Sequence, residues 1–272
     1  DLFRPAHTLP TIRTRKLMPT QTAEPEKNDK RKNARLPPGL MIYTPGIERL
    51  EKLRDRDLES HGLHFLTQEE KRYDPFYNLL NHHQRVADVG ETVARKIAHH
   101  FGWTEEDINI IRFALGSHDM GKIDPTNWKY RSSDTFSPEE RREYTHRHQI
   151  MSHWFIMNLK ARVRVEDRLF LVKVGLYTRY HHTDPFDIPH RTLVAPCQLI
   201  RMIDYFDARQ EERAYNNERP LSQWGAVKKV KELVEDWRLD PRFAPYIHVV
   251  EIIRDAISDI YGSGNVGIPS SY

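Results

Sequence analysis

A single cysteine, Cys197, in 272 residues leaves no partner for an internal disulfide and too few thiolates for a cysteine-based zinc site. Long apolar runs are also missing. Mean hydropathy is −0.73, and no stretch approaches the ~20 residues that a membrane-spanning helix needs. The opening residues, Asp1-Leu-Phe-Arg-Pro-Ala-His7, hold no apolar signal-peptide core. Charge of one sign is scarce as well. Forty-two Lys and Arg stand against 39 Asp and Glu, net +3 with histidines neutral, so there is no strong nucleic-acid signal. The expectation is a cytoplasmic protein without a membrane partner. The chain opens on Asp1 rather than Met, which reads as processing, a removed tag or a piece of something longer. Its length suits one large domain, or one domain with extensions.

What the chain does have is histidine, 15 in all. Where they fall depends on the helices. Residues 1–38 are poor in large apolar side chains and carry nine basic against four acidic residues, which reads as an arm or linker. The expected division is a basic, Pro-rich arm over 1–45, a short helical lead-in over 46–73 with an amphipathic piece at Gly46–Leu58, a main domain over 74–262, and a tail over 263–272. From Asp74 the pattern is helical. Leu79, His82, Val86, Val89, Val93 and Ile97 recur at three- and four-residue steps, one helical face. A second helix opens at Thr104-Glu-Glu-Asp107, a capping-box pattern, and its stripe runs Ile108, Ile111, Leu115, His118. A third opens at Ser137-Pro-Glu-Glu140, with Ser at N-cap and Pro at N1, and carries Tyr144, His148, Ser152 and Phe155. A fourth is expected near Leu169–His182, ending on His181-His182. Pro185 and Pro189 then mark a loop. A fifth is expected over Pro196–Arg213 and carries Asp204 beside Ile200, Ile203 and Phe206. Two more follow near Leu221–Trp237 and Ile247–Tyr261. The fold class is all-α.

Several histidines and aspartates thus lie on apolar faces: His82, His118, Asp119, His148, His181, His182 and Asp204. A lone inward histidine is ordinarily a hydrogen-bonded core residue. Burying this many polar and charged groups together is costly unless they are paired or coordinate metal. They fall on five different segments, which suits a site built inside a helical bundle from facing helices. Within Ala114-Leu-Gly-Ser-His-Asp-Met-Gly-Lys122, the His118-Asp119 pair offers an imidazole nitrogen and a carboxylate whose second oxygen is free to reach another ion. Gly121 allows a sharp turn there, and Lys122 adds a positive charge where a phosphate could sit. His83 and His146 adjoin the pattern but point to other helix faces, so both are expected at the surface, as are His99 and His100.

His82-x-x-Arg85-Val86, His118-Asp-Met-Gly-Lys122, Ser137-Pro-Glu-Glu…His148, His181-His182 and Arg201-Met-Ile-Asp-Tyr-Phe-Asp-Ala208 resemble, in that order, the HD superfamily of metal-dependent phosphohydrolases, and within it the HD-GYP-like branch. Arg213-Ala-Tyr215 is similar to the Arg-Pro-Tyr that follows the last Asp of that branch. The resemblance covers about residues 74–250. It implies an HD-domain helical bundle in which His82, His118, Asp119 and Asp204 hold one divalent metal. Asp119 would bridge to a second held by His148, His181 and His182, with iron or manganese the implied ions. Asp119 and Lys122 would be the catalytic residues. Lys122, Arg213 and Tyr215 would contact the substrate, a nucleotide or cyclic (di)nucleotide phosphoester. A homodimer is one assembly the resemblance admits.

The sequence departs from the branch in three places. The loop reads Thr183-Asp-Pro-Phe-Asp-Ile-Pro189 where the pattern has a Glu and then Asp-Gly-x-Gly-Tyr-Pro. Asn78 stands where some members place a Glu for a third metal, so two metals are expected. Tyr130-Arg-Ser-Ser-Asp134 stands in place of a Lys-Pro-Gly segment. The resemblance therefore reaches the chemistry and not the substrate. Two other readings stay open: a di-iron oxygenase on the same fold, since His-rich ligation also suits iron, and a nucleotide-sensing signalling module with a degenerate site.

Overall fold

A computed structural model of the chain describes residues 75–123, 137–211 and 220–262. The expected arm, lead-in and tail, the segment around Tyr130, and Arg213 and Tyr215 lie outside the described residues. Within them the architecture is all-α, a bundle of seven α-helices with no strand. They are α1 (Pro75–Phe101), α2 (Glu105–Leu115), α3 (Pro138–Lys160), α4 (Arg168–Tyr180), α5 (Arg191–Ala208), α6 (Gln223–Leu239) and α7 (Ile247–Tyr261), with 3-10 turns at Met120–Ile123, Val165–Asp167 and Pro241–Tyr246. None of the described helices is long and apolar enough to cross a membrane.

The boundaries have local causes. Helix α1 ends where Gly102 takes φ +66° and Trp103 N–H returns to Ala98 O at 3.0 Å, a six-residue closure that needs a residue at ease in the left-handed region. The expected capping box at Thr104 forms, and the expected N-cap Ser137 forms a second one. Asp107 N–H donates to Thr104 Oγ1 while Thr104 N–H donates to Asp107 Oδ2. Ser137 and Glu140 exchange the same pair of bonds. Each box satisfies two otherwise orphaned backbone donors.

Helix α5 is the centre of the bundle and packs against α1, α2, α4, α6 and α7. Its buried residues run almost unbroken from Leu193 to Ile203, as expected of a helix enclosed on all sides. That enclosure corrects its expected start. Pro196 lies inside α5, which begins at Arg191; the ring removes one backbone bond near the N-terminus, and burial of Leu193, Val194 and Ala195 outweighs it. The helix also stops at Ala208 rather than Arg213. Helix α4 ends at Tyr180, so the histidine pair occupies the cap and the residue beyond it.

His83 is a second correction: it is buried, at 3 % exposure, rather than at the surface. Helix α1 packs against α2, α5 and α7, and buries neighbours in pairs: 82–83, 86–87, 89–90 and 93–94. A stripe that wide takes in the residue one step, about 100°, from its centre. His146, His99 and His100 are exposed as expected.

Candidate metal centre

All seven inward His and Asp residues meet in one place. His82 comes from α1, His118 and Asp119 from the turn after α2, His148 from α3, His181 and His182 from the end of α4, and Asp204 from α5. They form two groups that share Asp119. One is Asp119, His148, His181 and His182; the other is His82, His118, Asp119 and Asp204. The shared carboxylate divides its oxygens between them. Oδ1 lies 3.3 Å from His148 Nε2 and 3.9 Å from His181 Nε2. Oδ2 lies 3.7 Å from His82 Nε2 and 3.5 Å from His118 Nε2. Asp204 Oδ1 closes the second group, 3.3 Å from His82 Nε2 and 3.6 Å from His118 Nε2.

These separations are long for hydrogen bonds and suited to an ion between the atoms. Ligands about 2.0–2.2 Å from a common metal sit about 3.0–3.6 Å from one another. His82 Nε2, His118 Nε2, Asp119 Oδ1 and Asp204 Oδ1 are buried with no hydrogen-bond partner among the described residues. Buried polar atoms ordinarily have partners. Three of the four, His82 Nε2, His118 Nε2 and Asp204 Oδ1, converge on one another, while Asp119 Oδ1 faces His148 and His181; that is what cation ligands look like. The donor set fits a divalent metal.

The imidazoles are prepared for ligation from behind. His118 Nδ1–H donates to Leu115 O at 2.7 Å, His148 Nδ1–H to Tyr144 O at 2.9 Å, and His181 Nδ1–H to Thr178 O at 2.7 Å. A carbonyl can only accept, so each bond puts the proton on Nδ1 and leaves the Nε2 lone pair facing the site. All three carbonyls belong to the turn before the histidine, three or four residues back, so the same backbone both places the ring and selects its tautomer.

Charge follows the same plan. Burial would raise Asp119, but the Lys122 ammonium, with the His118 and His148 imidazoles beside it, holds its carboxyl well below the usual range. Asp204 is likewise held low: the nearby imidazoles of His118 and His82 outweigh burial. Burial pushes His148 down to about 4, and burial with neighbouring imidazoles pushes His181 and His182 well below 6.5. His82 moves up, because Asp204 and Asp207 together overcome its burial. Three neutral histidines and two carboxylates therefore stand ready without proton loss.

A stability prediction follows. Unfolding restores the three depressed histidines to about 6.5, so the unfolded chain binds more protons between about pH 6.5 and 4 and stability falls as pH drops through that window. His82 opposes this, its contribution being present below 6.5 and lost as pH rises through its raised value, but it is one group against three. Chelator-treated protein is expected to melt at a lower temperature at about pH 5 than at about pH 7.5. An equal or higher melting temperature in acid would contradict the neutral-histidine assignment.

The site is deep but not sealed. His118, Asp119 and His181 are fully buried, whereas the side chains of His182, Lys122 and Asp204 are 22 %, 15 % and 11 % exposed. Solvent thus reaches the centre past these three. Lys122 stands on the 3-10 turn at that opening and pairs with Asp119 Oδ2. Gly121 does not serve a left-handed turn: Gly102 is the only positive-φ glycine among the described residues. Gly121 lies flush against α3 instead, and its N–H donates to Ser152 Oγ at 2.8 Å.

Sequence reasoning passed over Asp207. Its carboxylate accepts from His82 Nδ1–H at 2.7 Å and from Arg85 through two nitrogens, at 2.9 and 3.0 Å. The signal was available as spacing: Arg85 follows His82 by three residues, and Asp207 follows Asp204 by three, so each pair shares a helix face. His82, Asp207 and Glu211 also cluster, but Arg85 pairs with both carboxylates and already supplies the cation there.

The loop after His182 is fixed in place. Arg201 donates to Asp184 at 2.8 Å, Gln198 donates to Thr183 O at 3.0 Å, and Phe186 meets Phe243 edge-on at 5.3 Å. Asn78 lies in the first turn of α1, where side chains are not among those described.

No protein-family model matches the chain, and no curated protein sequence matches it. Among solved structures, the chain is similar to the HD domain of the L. monocytogenes phosphodiesterase PgpH in complex with cyclic-di-AMP, at 18 % identity over 70 % of this chain and 93 % of that one, with a TM-score of 0.44. A second structure of the PgpH HD domain aligns at 17 % identity over 66 % of this chain and 89 % of that one, with a TM-score of 0.41.

Proposed function

We propose that residues 74–262 form a metal-dependent phosphohydrolase domain of the HD superfamily, HD-GYP-like with its own loop at 183–189, acting on a nucleotide or cyclic (di)nucleotide phosphodiester. The observation that carries this reading is Asp119, whose two oxygens face two separate histidine groups. One ion would be held by His82, His118, Asp119 and Asp204, and the other by Asp119, His148, His181 and His182. Bound divalent ions supply Lewis acidity and acidify water near neutral pH.

The chain's own residues do the rest. The backbone carbonyls behind His118, His148 and His181 hold three lone pairs on target. The buried floor keeps bulk water out, which strengthens every charge interaction within. Lys122 stands at the opening beside Asp119, where its ammonium can turn to a phosphoryl oxygen of an entering substrate. Arg213 and Tyr215 are the proposed further contacts.

The test is metal analysis of anaerobically purified protein, followed by assays on nucleotides, cyclic dinucleotides and a nitrophenyl phosphodiester. The expected result is two ions per chain and hydrolysis of at least one phosphodiester, lost on chelation and restored by manganese. Two bound ions with no hydrolysis across the panel would defeat the hydrolase reading, and oxygen consumption on adding substrate would favour the oxygenase. Lys122→Ala is expected to keep both ions while turnover falls about 10²–10³-fold, the usual cost of losing one preorganised charge donor. Loss of ions along with turnover would make Lys122 part of the metal site instead.

A further inference from the structure

Resting on that metal reading, we infer that Asp207, steered by Arg85, is the positioning residue of His82 and thereby sets the affinity of one of the two metal sites. Three of the site's histidines are oriented by a backbone carbonyl three or four residues back in their own chain segment; His82 is oriented by a carboxylate from another helix. His82 and His148 both sit inside helices, but His148 bonds the Tyr144 carbonyl one turn back while His82 meets a carboxylate of α5. His118 and His181 sit at helix ends, where carbonyls are spare. The acceptor for the His82 ring comes instead from a facing helix. Asp207 on α5 supplies it across 125 residues of sequence, at 2.7 Å and 2 % exposure.

An ionised carboxylate buried this deeply needs its own partner. Arg85, one turn beyond His82 on α1, donates Nε to Asp207 Oδ1 and Nη2 to Oδ2, and Glu211 pairs with the same guanidinium. The fork fixes the plane of the carboxylate, and the carboxylate fixes the plane of the imidazole. Asp207 lies on the far side of the ring from the site, so it acts on the metal only through His82.

Orienting partners behind a ligating histidine change metal affinity by about 10–100-fold. Asp207→Leu is therefore expected to weaken one of two ions by about 10–100-fold and to leave the other, held with His148, His181 and His182, near its wild-type affinity. Manganese titration of the purified 272-residue chain reads both steps. Nitrogen-15 NMR of the metal-free histidines reads the cause without any metal: in wild type His82 carries its proton on Nδ1, and in Asp207→Leu that preference is lost. Arg85→Gln keeps the acceptor but frees its plane, and is expected to give a smaller loss at the same site; it carries the test if Asp207→Leu does not fold. Equal weakening of both ions, or two wild-type affinities with an unchanged His82 tautomer, would overturn the assignment. Wild type that binds no ion would instead overturn the metal reading beneath it.

Discussion

An Asp119→Ala protein is expected to bind neither ion tightly and to lose phosphodiester hydrolysis by on the order of 10³-fold or more, the several kcal/mol of charge stabilisation that a metal pair supplies. Asp119 is the only residue common to both histidine groups, and it gives one oxygen to each. Removing any other candidate ligand takes one donor from one site; removing this one takes a donor from both and deletes the bridge. It also leaves Lys122 facing the site without its carboxylate partner, so positive charge remains where the ions would sit. Asp119→Asn sharpens the test. It keeps the shape and one carbonyl oxygen but offers an N–H₂, which cannot ligate, on the other side. The expected outcome is one ion retained and one lost, with turnover still near the Ala level. Asp119→Asn that binds two ions as tightly as wild type would show that the carboxylate does not serve both groups.

The seven converging residues were legible because their chemistry conflicts with their setting. His82 and Asp204 interrupt apolar faces, and His118-Asp119 closes one, so each advertises a buried polar group in need of a partner. The helices were legible for a similar reason: Thr104…Asp107 and Ser137…Glu140 are local devices whose partners are three residues apart. What escaped was set by three-dimensional neighbours. The width of the buried stripe on α1, which encloses His83, depends on its packing against three other helices. The start of α5 ahead of Pro196 depends on burial at Leu193–Ala195, which outweighs a local helix breaker. The carbonyls of Leu115, Tyr144 and Thr178 that orient three histidines have no side-chain signature at all. Asp207 carried a spacing signal, three residues after Asp204, but its partner Arg85 is fixed only by the way α1 and α5 face each other.

Gly121→Ala tests how the two halves of the centre are held together, and its expected cost is large for a single methyl group. A Cβ at this position would run into the backbone of α3, striking His148 O, and would lie 2.6 Å from Ser152 N and 2.7 Å from Met151 Cβ. Helix backbone cannot rotate aside as a side-chain tip can, so either the 3-10 turn or α3 must move. The turn carries Asp119 two residues earlier, and α3 carries His148 at the point of collision. Any shift therefore opens the 3.3 Å approach of His148 Nε2 to Asp119 Oδ1. Overpacking a rigid contact costs about 1–3 kcal/mol, and this one belongs at or above the upper end. Denaturant unfolding is expected to show that loss, and metal titration to show the ion shared with His148 weakened more than the ion shared with His82. Two controls separate the causes. Ser152→Ala removes only the bond from Gly121 N–H, worth about 1 kcal/mol, and is expected to keep both ions. Gly102→Ala meets open space but strains a positive φ, costing about 1 kcal/mol far from the metals. Gly121→Ala that matched the Ser152→Ala protein in stability and metal content would mean that the turn and α3 do not touch, and that Asp119 and His148 are brought together by something other than this glycine.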